Sequence, residues 1–286
     1  MREIRILSLG AGVQSTTLYL MACDVRLWGP ELLDFAIFAD TGEEPEDVYK
    51  HLEWLKAIGS VPIMIRTAGK LGEDLKNGRN STGQRFASIP AFTAAVGSSK
   101  SEGMLRRQCS KEYKIEVIQR AIRRDILGLK PKQRIPKDVR VTQYYGISID
   151  EARRARSIED RAKKDKWLTV KFPLLKLNMT RADCLIWLAD KVPHQVPKSA
   201  CVFCPYHSDA EWLQIKKNPS DWARAAEIDE ALRTDGVFLQ RQLDQKLYLH
   251  RSCQPLTQIT FNPKPSAREQ QINLNFVAEC GGVCGV

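Results

Sequence analysis

The chain has 286 residues, 43% of them hydrophobic, and a formal net charge of +10. That length and apolar content support one large α/β domain, or one domain with a smaller appendage, and exclude a disordered chain as the starting expectation. No apolar run approaches the ~18 residues of a membrane span, and charged Arg2, Glu3 and Arg5 replace the apolar core of a signal peptide, so a cytoplasmic protein with no membrane partner is expected.

Ile4 to Leu9 reads as a buried strand and Ser15 to Met21 as the helix after it. Phe35 to Ala39 reads as a second strand that ends in Asp40-Thr41-Gly42. Pro45 suits the first turn of a helix running to Ile58, with Glu43, Glu44, Glu46 and Asp47 near its positive end. Val61 to Arg66 supplies a third strand. Strands alternating with helices imply right-handed βαβ units and an open, mostly parallel, Rossmann-like sheet with helices on both faces.

Residues 69 to 104 show little periodicity and are expected to form a mobile active-site loop. A helix capped by Ser110 follows, with Ile115, Ile118, Ile122 and Ile126 at helical spacing. Val141 to Ile149 reads as a further strand, leading into a basic helix. Thr180 with Asp183, and Ser208 with Glu211, have the spacing of helix N-caps. Residues 1–235 are taken as the domain and 236–286 as an irregular, cysteine-bearing C-terminal tail.

The segment Ser8-Leu9-Gly10-Ala11-Gly12-Val13-Gln14-Ser15-Thr16-Thr17 lies between a strand and a helix, where free backbone N–H groups and the helix dipole meet an incoming anion. Gly10 and Gly12 admit close approach of phosphate oxygens, and Ser15 and Thr16 offer hydroxyls. Taken alone, a plain tight turn accounts for the segment equally well. It lacks the ending of a Walker A loop and the six-residue dinucleotide fingerprint.

Eight cysteines in a chain expected in a reducing compartment argue for metal, cluster or redox work over a disulfide framework. Cys201 and Cys204 form a CxxC followed by Pro205, which suits two ligands of one metal centre. Cys280 and Cys284 form a CxxxC at the C-terminus, and Cys109 and Cys253 stand alone. Cys23 and Cys184, inside apolar helices, read as buried side chains. His207 is assigned no role, and Trp187, Trp212 and Trp222 read as core. Between Glu102 and Lys166 there are 19 Lys/Arg against 10 Asp/Glu, nearly the whole charge excess, which attracts either a phosphorylated small molecule or a nucleic acid or else forms a solvated face.

Four motifs in order carry a family resemblance. The loop at 8–17, Asp40-Thr41-Gly42-Glu43-Glu44-Pro45-Glu46, Arg106-Arg107-Gln108-Cys109-Ser110-Lys111-Glu112-Tyr113-Lys114, and Gly146-Ile147-Ser148-Ile149-Asp150-Glu151 with Arg153 and Arg154 together resemble the phosphoadenosine phosphosulfate (PAPS) reductase family. That family belongs to the adenine nucleotide α-hydrolase superfamily, whose phosphate-binding segment is the PP-loop. The resemblance covers residues 4 to 215. It implies that Ser8, Gly10, Gly12, Gln14, Ser15, Thr16, Asp40, Thr41, Gly42 and Gly146 surround an adenine nucleotide (PAPS, adenylylsulfate or ATP, with or without magnesium), and that Arg106, Arg107 and Lys114 neutralise its anionic groups. Gln14 stands where superfamily members that split ATP usually carry Asp, which removes a natural magnesium ligand.

In cluster-bearing members similar to this chain, a cysteine at the third motif and a later CxxC hold a [4Fe–4S] cluster, which implies Cys109, Cys201 and Cys204 as ligands with Cys253, Cys280 or Cys284 as the fourth. A zinc site of four cysteines is the competing reading. Glu279-Cys280-Gly281 resembles the tail whose cysteine attacks the sulfonucleotide, making Cys280 the implied nucleophile and Cys284 a resolving thiol, although the family's following residue is missing. Sulfite release with a thioredoxin-like reductant is the first implied reaction. Nucleotide-dependent thiolation or other modification of tRNA or DNA is the second, and a non-catalytic nucleotide or cluster sensor is the third. A homodimer is compatible with all three.

Overall fold

The computed structural model describes residues 2–29, 32–85, 87–95, 100–233 and 245–263. Eight strands occur in chain order: β1 (Arg2–Leu9), β2 (Phe35–Asp40), β3 (Ile63–Thr67), β4 (Phe92–Ala95), β5 (Gly103–Met104), β6 (Val139–Tyr145), β7 (Leu168–Lys171) and β8 (Gln245–Tyr248). Five of them form one parallel sheet in the order β3-β2-β1-β6-β7.

A parallel strand covered on both faces must be apolar at odd and even positions alike. β1 meets that demand: Leu7 and Leu9 point into one core, Ile4 and Ile6 into the other. In-register neighbours keep the parity, Leu7 lying beside Ala36 and Tyr144, and Ile4 beside Val141. Helices α1 (Val13–Cys23) and α3 (Glu46–Ile58) bury Leu18, Tyr19, Leu52 and Leu55 on the first face, joined by Cys184 and Leu188 of α8 (Arg181–Leu188). A short helix α2 (Val25–Trp28) extends α1, α4 (Leu71–Lys76) follows β3, and α7 (Pro173–Lys176) precedes α8. The second face carries α5 (Glu116–Ala121), flanked by wider π-type turns at Lys111–Ile115 and Ile122–Ile126, and α6 (Ala152–Ala162) over β7. The helices therefore lie on both faces of the sheet, as the alternating pattern predicts.

Several segments differ from the sequence expectation. Residues 69 to 104 hold α4 and two short strands, not a structureless loop. Ser110 does not cap its helix: its own backbone is helical and its side chain accepts no capping bond, so the chain enters through the π-type turn. β6 stops at Tyr145, and Ile149–Glu151 forms a short 3-10 turn. The boxes Thr180 with Asp183 and Ser208 with Glu211 cap α8 and α9 (Asp209–Lys217) as expected.

A second core stands at the carboxyl edge of the sheet, where α4, α9, α10 (Pro219–Ala231) and the segment 245–263 enclose Leu71, Tyr113, Phe203, Trp212 and Leu247. Part of the expected C-terminal tail is thus built into the fold, because β8 pairs antiparallel with β4, and β5 completes that sheet. Buried Asp209 fastens the same segment, accepting from the Arg251 guanidinium at 2.8 Å and the Asn262 amide at 2.8 Å. Trp212 is fully buried, while Trp187 and Trp222 are partly covered at the margins of the two cores. Among the described residues no helix is long and apolar enough to cross a membrane.

Candidate functional site

The turn from β1 into α1 is held by its own side chains. Ala11 takes a left-handed backbone (φ +56°), so that the amides of Gly10 and Gly12 both donate to Ser15 Oγ, at 3.3 and 3.2 Å. Ser15 Oγ in turn donates to the Gly12 carbonyl at 3.1 Å. The two loop amides are thus satisfied within the turn itself, the arrangement of a capping box at the start of α1.

Other residues expected at the phosphate serve as braces. Ser8 is buried and accepts from the Gln143 side chain. Thr16 turns inward, its Oγ1 2.9 Å from His51 Nε2. His51 is fully buried and lies 2.8 Å from His194, and burial together with that neighbour pushes its pKa down to about 4. Gln14 reaches across to the end of β6, donating to Glu151 at 3.1 Å and to Ser148 at 3.4 Å. Gly146 lies against this turn: a Cβ there would sit 2.8 Å from Ser15 N and Cα and 2.9 Å from the Gln14 carbonyl carbon, so only glycine fits.

The end of β2 makes the neighbouring wall. Asp40 Oδ1 accepts from the Gly42 amide at 2.8 Å and the Tyr49 hydroxyl at 2.9 Å, and Gly42 turns with φ +74°. Glu46 and Asp47 occupy the first turn of α3, where the helix dipole favours acids, but Glu43 and Glu44 fold into the interior. Arg224 of α10 clamps the turn, donating to the Glu44 carbonyl at 2.9 Å and to Glu43 and Asp221 at 3.3 and 2.7 Å. Burial raises the Glu43 carboxyl above its ordinary range, against the opposing pull of Arg224.

Beside this wall lies a cavity whose lining includes Thr41, Arg107, Lys114 and three cysteines, Cys109, Cys201 and Cys204. Cys201 Sγ is 3.3 Å from Thr41 Oγ1. Burial pushes its thiol pKa far up and Glu44 adds to that, while Lys114 and Thr41 oppose. Arg107 sits over the Tyr206 ring, and Arg106 is exposed next to it. The structure does not bring Cys253 to this cavity: it is buried among Phe92, Ala94 and Tyr248. Cys280 and Cys284 lie outside the described residues. Cys184 is wholly buried and Cys23 partly so, as expected of packing side chains.

Soft thiol donors on one wall, with apolar Leu71, Ile89 and Phe203 around them, have the chemistry that a [4Fe–4S] cluster or zinc requires. The described residues supply three such thiols, and among them no three His, Cys, Asp or Glu side chains are grouped so as to hold a single metal ion.

Between the β1–α1 turn and the cysteine cavity, Ser199, Glu44 and Lys114 form a buried polar chain that the sequence did not reveal. A Cβ on Gly12 would lie 3.8 Å from Ser199. Ser199 Oγ donates to Glu44 at 3.0 Å, and the opposite oxygen of that carboxylate accepts from Lys114 Nζ at 3.0 Å. His207, given no role from sequence, lies beneath the CxxC with Nε2 2.9 Å from the Cys201 carbonyl. No family model, curated protein or solved structure matches this chain.

Proposed function

We propose that the chain is a cytoplasmic PAPS-reductase-like enzyme of the adenine nucleotide α-hydrolase type that binds an adenine sulfonucleotide on the β1–α1 turn and works on its sulfur at the cysteine cavity. One observation carries this reading: Ser199, which lies beside Gly12 of that turn, donates to Glu44, whose carboxylate accepts from Lys114 of a cavity also lined by Arg107, Cys109, Cys201 and Cys204. The turn recognises the phosphate and the cations receive the sulfate. Ser8, Thr16 and Gly146 hold the turn in shape from behind.

In this reading Cys109, Cys201 and Cys204 would hold a [4Fe–4S] cluster with Cys284, and the cluster, when bound, would add redox character beside the substrate. The Cys280 thiolate would attack the substrate's sulfur, breaking the S–O bond to phosphate, and a thioredoxin-like dithiol would then release sulfite. Anaerobically prepared protein should release sulfite from PAPS or adenylylsulfate, with that release lost in Cys280→Ser. Absence of sulfite from both substrates in cluster-loaded protein refutes this reaction.

A second reading, ATP-dependent modification of tRNA or DNA, is favoured by Glu151. Its carboxylate stands 3.1 Å from Gln14 Nε2, with its other oxygen paired to Arg154, and would bring to the turn the carboxylate that Gln14 lacks. Pyrophosphate release from ATP, lost in Glu151→Gln, would support it.

A further inference from the structure

We infer that α6 and the amino edge of β6 and β7 form a docking track for a nucleic-acid backbone, leading from the phosphate turn across the second face of the sheet. The inference deepens the second reading above and rests on it. α6 begins at the candidate site, since Glu151, immediately before it, touches Gln14. Its buried side is formed by Ala155, Ile158 and Ala162, with Arg154 paired inward to Glu151. Its exposed charged residues are Arg153, Arg156, Glu159, Asp160 and Arg161.

The far end of α6 carries the stripe onward. Lys164 and Lys166 are exposed in the turn before β7, and that turn lies against the start of β6, because the Val141 amide donates to the Trp167 carbonyl at 2.9 Å. Lys137, also exposed, precedes that strand. The acids on α6 are Glu159 and Asp160, and Asp160 is paired with Lys163 at 2.8 Å. Eleven helical residues span about 16 Å. Cations held at both ends of such a span call for a ligand with anions repeating along its length. A nucleic acid meets that need with a charge every ~1.7 Å of duplex axis, and its phosphates continue the chemistry of the turn at which the track begins. A mononucleotide fills the turn alone.

The test uses the full chain, a labelled 30-base-pair DNA duplex and unfractionated tRNA, with affinity read by anisotropy across a KCl series. Arg156→Gln, Lys164→Gln and Lys166→Gln together should weaken binding at least tenfold and reduce the slope of log K against log [salt] by about 2 to 3 for the duplex, near 0.9 per lost phosphate contact. A control with the same charge change elsewhere, Lys50→Gln, Lys56→Gln and Lys191→Gln, should bind like the parent. Whichever of duplex and tRNA binds more tightly identifies the source of the backbone. The inference is overturned if neither binds at 50 mM KCl, if the control weakens binding as much as the track variant, or if polyglutamate of equal charge competes as well as nucleic acid. Calorimetric titration with ATP in the track variant reports the turn separately, so loss of the track and loss of the nucleotide site give different results.

Discussion

Replacing Lys114 with Met leaves the Glu44 carboxylate, which has no exposed surface, with Ser199 as its remaining side-chain donor. Lys114 itself is only 8% exposed, so little solvent screening softens the loss. Removing one partner of a buried ion pair costs about 3–5 kcal/mol. Unfolding entropy near 60 °C is about 2.1 cal/mol/K per residue, or about 0.6 kcal/mol/K for a chain of this length, so the variant should melt about 5–8 °C lower. The double variant Lys114→Met with Glu44→Gln no longer buries a lone charge and should recover a substantial part of that loss. Urea unfolding of the parent, both single variants and the double variant closes the cycle. A Lys114→Met cost below 1 kcal/mol, or a double-variant cost equal to the sum of the two single costs, would refute the claim that this pair is a coupled, buried bridge between the turn and the cavity.

Three further outcomes follow from the same geometry. Gly146→Ala forces a Cβ onto three backbone atoms of the turn and should cost about 1–3 kcal/mol in urea unfolding, whereas Gly12→Ala, with its nearest neighbour at 3.8 Å, should cost less than half as much; equal costs contradict the close packing. His51 is held neutral in the folded chain, with its pKa near 4, while in the unfolded chain it takes a proton near 6.5. Its contribution is complete above pH 6.5 and lost as pH falls toward 4, about 2 kcal/mol between pH 7.5 and 5, and that part of the pH dependence should vanish in His51→Gln. Finally, iron or zinc content should survive Cys253→Ala but fall in Cys109→Ser, Cys201→Ser and Cys204→Ser; loss with Cys253→Ala places that thiol among the ligands after all.

What the sequence made legible was local. The capping boxes at Thr180 and Ser208 depend on residues three apart, and the strands of the parallel sheet announce themselves through apolar-rich runs such as Ile4 to Leu9. The cysteine cavity was legible in part, since Cys201 and Cys204 are neighbours and Cys109 sits in a basic motif. What stayed hidden depends on pairing across the chain. Nothing in the run Glu43-Glu44-Pro45-Glu46 separates the carboxylate that meets Lys114 from those that stabilise a helix start. Thr16 looks like a phosphate-binding hydroxyl until the distant His51 is seen to take it. β8 is four residues whose apolar pattern gains meaning only against β4, some 150 positions earlier. Cys253 had the right chemistry for a fourth ligand, and only the packing of β4 and β8 shows that its thiol lies elsewhere.

The central claim is that the β1–α1 turn holds an adenine nucleotide beside the cysteine cavity, and isothermal titration of the full chain with ATP, PAPS and adenylylsulfate tests it most directly. At least one of the three should bind with one site per chain, and Gly146→Ala should weaken that binding at least tenfold. No heat with any of them, or parent-like affinity in Gly146→Ala, would contradict the account.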